Sequence, residues 1–242
     1  MIIERKVGFI RIARVILQTQ EFLALLQSRK YHFISAILYD RPKEPEKYFR
    51  KEKKTTVIDL TPDSEVIFSK FNDTARNEIR RSKKIPELKF KLGDRNLDAI
   101  YEFHKEFEKL QGRRPKGKNS FQGCIFFTAY YKKDLIAVVA CYDAKPYLRA
   151  RAIFSRRLGA REKETSQIIS FANRRIVYEI CKYGHENGYA GFDLGAVNLT
   201  DSMKAGITKF KMSFGGEIRN EYTYLYRSKI FYFLSKIEGI AR

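Results

Sequence analysis

An aspartate sits inside a short apolar run, YAGFDL (189–194), and two lysines follow on a nearby turn within FKMSFGGE (210–217). Charged groups are costly to bury unless they are paired or used, so residues 185–217 are the first place to look for chemistry. Asp193 lies between Phe192 and Leu194. Strand alternation turns it away from their face, toward a cleft where neighbouring strands splay. There it could serve as a base, or orient a loop amide as a structural cap. Lys211 is flanked by Phe210 and Phe214, which sets it apart from a solvated lysine on a terminal turn. Lys209 is its alternative, since a short helix could present either. Tyr142 and Asp143, ending an apolar strand, stand second to these, and Gly215-Gly216 permits close passage of backbone or a bulge.

The rest of the composition narrows the chemistry. The three histidines are scattered without metal-ligand spacing, so the expectation is no metal. Cys124, Cys141 and Cys181 sit in apolar segments with no CxxC pair, as reduced core residues of a cytoplasmic protein do. No apolar run approaches the roughly 18 residues of a membrane span. The N-terminal arginines and lysine lack the pattern of a signal peptide. Charge is the largest global signal: 48 basic residues against 28 acidic give +20. That balance favours an anionic partner such as RNA, a nucleotide cofactor, a phosphorylated sugar or a membrane surface. A lysine-rich surface kept soluble by charge is the plainer reading. The charge is focused: residues 109–133 hold seven basic side chains and no acidic one, and 145–163 hold seven against Glu162 alone.

The elements that must position these residues follow from patterning. Residues 7–17 and 32–39 read as β-rich runs around a helical stretch at 20–28, and the proline-broken, charged segment 41–54 as an exposed loop. TTVIDL is a strand, and a helix over 63–84 opens at Pro62-Asp63 and ends in Arg76, Arg80, Arg81, Lys83 and Lys84. Basic residues there either answer the helix dipole or contact phosphate. ELKFKL (87–92) alternates as a strand, and Asp94 caps a helix over 95–111 whose apolar stripe includes His104, a packed core histidine. A basic loop follows at 112–121. Strands at 123–131, 134–143 and 146–154 are joined by tight turns into an antiparallel meander. Then come a basic loop, a long helix over 163–187, the strand 189–194, a short helix near 201–208, a strand over 216–226 and an amphipathic helix over 228–238.

The order β-α-β-β-β-α-β-α-β over 87–226, with the second helix reduced to loop 112–121, resembles the GNAT N-acyltransferase fold. TTVIDL with the helix ending ARNEIRRSKK, ENGYAGFDLG (186–195) and GITKFKMSFGGE (206–217) are similar to the FemAB-type branch of that superfamily. The resemblance spans residues 55–226. It implies an α/β (α+β) fold with a mixed, mainly antiparallel sheet flanked by helices. Residues 87–242 form the acyltransferase core, and 1–86 an N-terminal α/β extension.

The resemblance also implies the activity: transfer of an acetyl or aminoacyl group from acetyl-CoA, another acyl-CoA or an aminoacyl-tRNA to an amine of a cell-envelope precursor, either peptidoglycan or an amino-sugar glycan. Lys211 is then the residue that stabilises the donor carbonyl. In GNAT enzymes the junction before the long helix carries R/Q-x-x-G-x-G/A around a pyrophosphate. Arg156 and Gly159 fit that pattern, but Arg161 replaces the final small residue, which puts close backbone approach in doubt. Arg76, Arg80 and Arg113 would hold the diphosphate of an anionic nucleotide-linked or lipid-linked substrate. A tRNA and the inner face of a membrane are the implied partners. FemAB-type enzymes usually have two such domains and a helical arm; this chain has one copy and no arm. A second reading is a GNAT-like module without catalysis that holds RNA or another anionic partner, with Phe126, Phe127, Tyr130 and Tyr131 either stacking bases or packing between sheet faces.

Overall fold

The computed structural model describes residues 1–44, 46–159, 162–201 and 205–237, with side chains through 234. The chain forms two compact units, Met1–Thr55 with Ile218–Arg242, and Thr56–Glu217. The first begins as a hairpin, β1 (Ile2–Val7) and β2 (Ile10–Ile16). The expected single run at 7–17 is cut because Gly8 takes a left-handed conformation, φ 57°, that reverses the chain. Helix α1 (Thr19–Ser28) crosses over to β3 (Phe33–Leu38), which pairs with β2 in parallel. Ile34, Ala36 and Leu38 alternate inward against Phe22 of α1.

Strand β4 (Phe49–Asp59) corrects the expectation of a loop over 41–54. Its first half, FRKEKK, is charged and exposed, so side-chain patterning cannot reveal it. Backbone pairing does not depend on side-chain polarity, and that half of the strand lies beside a neighbour from the other end of the chain.

The second unit opens with α2 (Ser64–Ser69) and α3 (Asp73–Ser82) in place of one helix over 63–84. The break has a local cause. Asp63 accepts hydrogen bonds from the amides of Glu65 and Val66, and Asn72 accepts one from Ala75, so each starts its own helix. Next come β5 (Leu88–Leu92), α4 (Leu97–Leu110), β6 (Cys124–Tyr131), β7 (Asp134–Ala144), β8 (Tyr147–Ser155), α5 (Lys163–Glu186), β9 (Gly191–Val197) and α6 (Ala205–Met212). Asn96, not Asp94, caps α4. Asp94 instead accepts hydrogen bonds from Thr128 and Tyr130 of β6 at 2.8 and 2.7 Å.

Helices cover both faces of this unit's sheet. Ala137, Val139 and Cys141 of β7 pack in one core with α2, α3 and α5, while Val138 and Ala140 pack in another with α4. Phe127 enters the first core and Phe126 the second, so these aromatics pack between faces and do not present a stacking platform.

The chain then returns to the first unit as β10 (Glu217–Arg227) and α7 (Lys229–Ile237). β10 pairs antiparallel with β3, from Tyr222↔Leu38 to Arg227↔Phe33. Strand order is β1-β2-β3-β10-β4 in the first unit and β4-β9-β8-β7-β6-β5 in the second. β1–β2, β3–β10, β5–β6, β6–β7 and β7–β8 pair antiparallel, and β2–β3 and β8–β9 in parallel. The sequence-based boundary at 86/87 falls inside the second unit, between α3 and β5. No described helix is long and apolar enough to cross a membrane.

His104 is a core residue, 6% exposed, with its ring 4.9 Å from Phe121 and 5.3 Å from Phe154. Burial lowers its pKa from the usual 6.5, outweighing Glu108, while Arg151, Arg113 and Lys116 push the same way as burial. The folded protein therefore binds this proton less well than the unfolded chain. The contribution is full above the ordinary histidine range and is lost as pH falls through it. His104→Leu is expected to flatten the decline in stability between about pH 7 and pH 5, measured as denaturation midpoints across pH.

Candidate active site

β8 and β9 pair in parallel through three rows: Tyr147↔Gly191, Leu148↔Phe192 and Arg149↔Asp193. β8 continues to Ser155 and β9 to Val197, so beyond the third row the strands diverge. On the other side of β8, Ala140 faces Ala152 and Cys141 faces Ala150, which leaves Arg151 as a bulged residue at the same level. A bulge re-aims backbone groups out of the ladder. Here it does so along the wall of the opening between β8 and β9.

A buried ion pair closes the apex. Tyr142, Arg149 and Asp193 stand in one row across β7, β8 and β9 and share a face, while Leu148, Phe192 and Leu194 point into the core behind them. Arg149 donates from Nη1 to Oδ2 of Asp193, whose Oδ1 accepts the Gly195 amide at 2.7 Å. Asp193 is fully buried and Arg149 is 5% exposed. The expectation that Asp193 faces an open cleft is corrected. Both of its oxygens are engaged, which makes it a positioning group for Arg149 and Gly195. Tyr142, 2% exposed, is part of this same buried row.

Lys211 reaches the opening. It lies on the last turn of α6, and its Nζ donates to the carbonyl of Ala196 at 2.8 Å. Gly195, with φ 78°, lets the backbone turn past it; a Cβ there would stand 3.6 Å from both Lys211 Nζ and the Ala150 carbonyl oxygen. α6 is held in place from both ends. Thr208 accepts from the amide of Asn198 and donates to its carbonyl at 3.2 and 3.0 Å. Phe210 and Phe214 stack edge to face at 5.1 Å, with Phe214 against Phe71 at 5.2 Å. Behind them, a Cβ on Gly215 would run into the Lys70 carbonyl, so the FGG segment is a place of close backbone passage. Lys209 is exposed, about 200° around the helix from Lys211.

A cavity of about 430 Å³ lies where β8 ends and α5 begins. Phe103, Phe107, Tyr131 and Ile169 supply apolar wall, and Arg156 and Gly159 border it. So do Glu106, Asp134 and Glu162. Arg156 stands 3.6 Å from Glu106, with its guanidinium over the Phe103 ring at 5.4 Å. Glu162 occupies the N-cap position of α5 and Glu164 its first turn.

No family model and no curated protein matches the sequence. Solved structures do match. FemX is 13% identical over 98% of this chain and 86% of its own, with a TM-score of 0.63. The C-terminal domain of a protein described as a lysylphosphatidylglycerol synthetase, from Agrobacterium fabrum, is 13% identical over 99% and 84%, with a TM-score of 0.58. L-PGS from Bacillus licheniformis is 16% identical over 100% and 86%, with a TM-score of 0.53. The fold is GNAT-like and is shared with FemX.

The expected donor junction is described in part. Arg156 and Gly159 are in place beside the cavity, and Arg161 lies outside the described residues. Three carboxylates stand on the cavity wall, one of them facing Arg156, and they oppose the charge of a coenzyme diphosphate. The expected acceptor pocket is not assembled. Arg76 pairs with Asp73 and the Ser69 carbonyl, and Arg80 lies over Phe68, both on the α5 side of the sheet. Arg113 follows α4 on the opposite side, bonded to Glu108. Among the described residues no group of three or more His, Cys, Asp or Glu could hold a metal.

Sequence reasoning missed Arg149 and Arg151. A signal existed: two arginines inside the apolar strand YLRARAIF demand a buried acid somewhere, and YAGFDL contains one.

Proposed function

We propose that this chain transfers an aminoacyl group from the ester of an aminoacyl-tRNA to an amine of a cell-envelope precursor. The observation that carries the reading is Lys211 fixed at the opening of β8 and β9, beside a bulged strand and a left-handed glycine. The neighbours with the same fold support it: one is FemX, and two carry the names of lysylphosphatidylglycerol synthetase and L-PGS.

The reaction forms a C–N bond and breaks the ester C–O bond, and the ribose hydroxyl leaves with the proton that the amine gives up. Negative charge grows on the carbonyl oxygen as the amine adds. A fixed ammonium beside the carbonyl, with a bulged backbone opposite, lowers that barrier because the donors are already oriented. Lys211 has this role. Arg149 and Asp193 hold the apex rigid, and Tyr142 stands in their row. Glu106, Asp134 and Glu162 border the cavity at the start of α5, and their charge supports an aminoacyl-tRNA donor over a coenzyme diphosphate held there. Basic Arg157, exposed on the junction, and the two strongly basic stretches supply the long-range attraction for tRNA.

The test offers the purified protein charged tRNA or acetyl-CoA together with a nucleotide-linked peptidoglycan precursor or an amino-sugar, and follows new amide by mass spectrometry. Amide from charged tRNA and none from acetyl-CoA is the expected result. Acetyl transfer alone overturns the donor assignment. No product with either, and equal binding of charged and uncharged tRNA with a steep salt dependence, replaces the enzyme with a non-catalytic anion-binding module.

A further inference from the structure

The first unit carries a surface that acyl transfer does not use. Half of the excess positive charge sits here, on a third of the chain: 18 basic against 8 acidic residues in Met1–Thr55 and Ile218–Arg242. Some of it converges on a cleft of about 370 Å³ formed by the start of β4, the end of β10 and the start of α7. Lys47, Arg50, Arg227 and Lys229 line it with Tyr48 and Tyr232, and no acidic residue does. None of the four cations makes an ion pair among the described residues. Arg50 is held by the carbonyls of Phe49 and Leu225 at 3.2 and 3.3 Å, and Lys47 lies over the Tyr48 ring.

Beside the cleft stands an apolar face. Ile230, Tyr232 and Phe233 of α7 are 53%, 51% and 65% exposed, and Phe9 at the β1–β2 turn is 63% exposed. These belong to one neighbourhood. The Ser228 amide donates to the His32 carbonyl at 2.8 Å, the Phe9 ring lies 6.0 Å from that of His32, and Phe231 packs on Phe33 at 4.8 Å. Ser228 also accepts the Phe231 amide at 3.2 Å, which caps the helix. The inner side of α7 is therefore anchored, and the outer apolar side is held out to solvent by a fixed helix. Large apolar patches on a soluble surface mark contact sites.

We infer that this surface docks the protein on a bilayer containing anionic phospholipid, with headgroup phosphates in the cleft and Ile230, Phe233 and Phe9 in the interfacial layer. Charge and apolarity together select the occupant. A second copy of this chain would set one cationic cleft against another. RNA would satisfy the cations and leave the apolar residues in water. An anionic bilayer offers phosphates and hydrocarbon within about 5–10 Å of one another, the spacing that an interfacial helix with a basic flank requires. The inference is independent of the acyl-transfer reading.

The test is co-sedimentation of the full chain with vesicles of phosphatidylcholine alone or mixed equally with phosphatidylglycerol. Binding to the mixed vesicles is expected, with a loss of about tenfold or more on Ile230→Glu/Phe233→Glu and again on Lys47→Ala/Arg227→Ala. The natural sequence has no tryptophan, so Phe233→Trp supplies a single fluorophore. Its emission should shift to the blue on anionic vesicles, a readout that does not depend on the charge variants folding. Absence of binding to mixed vesicles overturns the inference, as does an unshifted Phe233→Trp. Binding that the cleft variant alone weakens reduces it to nonspecific attraction and overturns it too. So does a dimer in solution that dissociates on Phe233→Glu, which would make the face an interface between copies.

Discussion

Lys211→Ala lowers turnover by about a hundred- to a thousandfold, the range found when one oriented donor is removed from an oxyanion site, and leaves the fold intact. The side chain is half-buried, and its Nζ donates to the Ala196 carbonyl. Removing it costs about 1 kcal/mol of stability, because Phe210 and Phe214 continue to anchor α6. The catalytic loss is larger for a physical reason. A lysine in bulk water must reorganise its solvent to follow charge that appears during reaction, whereas one already fixed beside the carbonyl does not. Lys211→Arg retains the charge but changes its geometry, from a compact ammonium to a planar fork, and is expected to recover only part of the rate. Single-turnover kinetics with saturating donor separate this loss from a change in binding. The comparison is Lys209→Ala, on the exposed side of the same helix. A loss at 211 no greater than that at 209 would remove Lys211 from the chemistry.

The features that were legible in the sequence are those written locally. The strand and helix order over 87–226 follows from period and turn chemistry. What escaped depends on distant partners. Arg149 and Asp193 are 44 residues apart, and only the parallel register of β8 on β9 makes them adjacent. The bulge at Arg151 arises from one extra residue between two rows of β7, which no alternation pattern marks. Glu106, Asp134 and Glu162 come from three separate elements, so their gathering around one cavity could not be seen in a charge count. The strand FRKEKK has no apolar pattern at all. The first unit is closed by β10 returning to β3 from the far end of the chain, and a boundary drawn in sequence order cannot express that.

Breaking the pair at the apex should separate stability from activity. Arg149→Met leaves the Asp193 carboxylate buried without its counter-charge, and the expected loss is about 3–5 kcal/mol, as for other buried pairs cut on one side. Asp193→Leu strands the Arg149 guanidinium and also removes the acceptor of the Gly195 amide, so it should be at least as damaging. Asp193→Asn keeps an oxygen for that amide and loses only the charge. The double variant Arg149→Met/Asp193→Leu tests the coupling directly, because two apolar groups of similar size leave no charge to desolvate. Its stability should lie well above the sum of the single losses, since buried pairs replaced whole are often neutral or better. Denaturant midpoints with unchanged slopes measure each step. A loss under about 1 kcal/mol for Arg149→Met would mean that the carboxylate finds water, contrary to its full burial here. Activity should not return with stability. The Asp193 carboxylate fixes the Gly195 amide, and Gly195 sets the turn against which Lys211 is placed. An apolar apex packs but does not orient. The double variant is therefore expected to fold well and transfer poorly, with the loss in turnover and not in donor affinity.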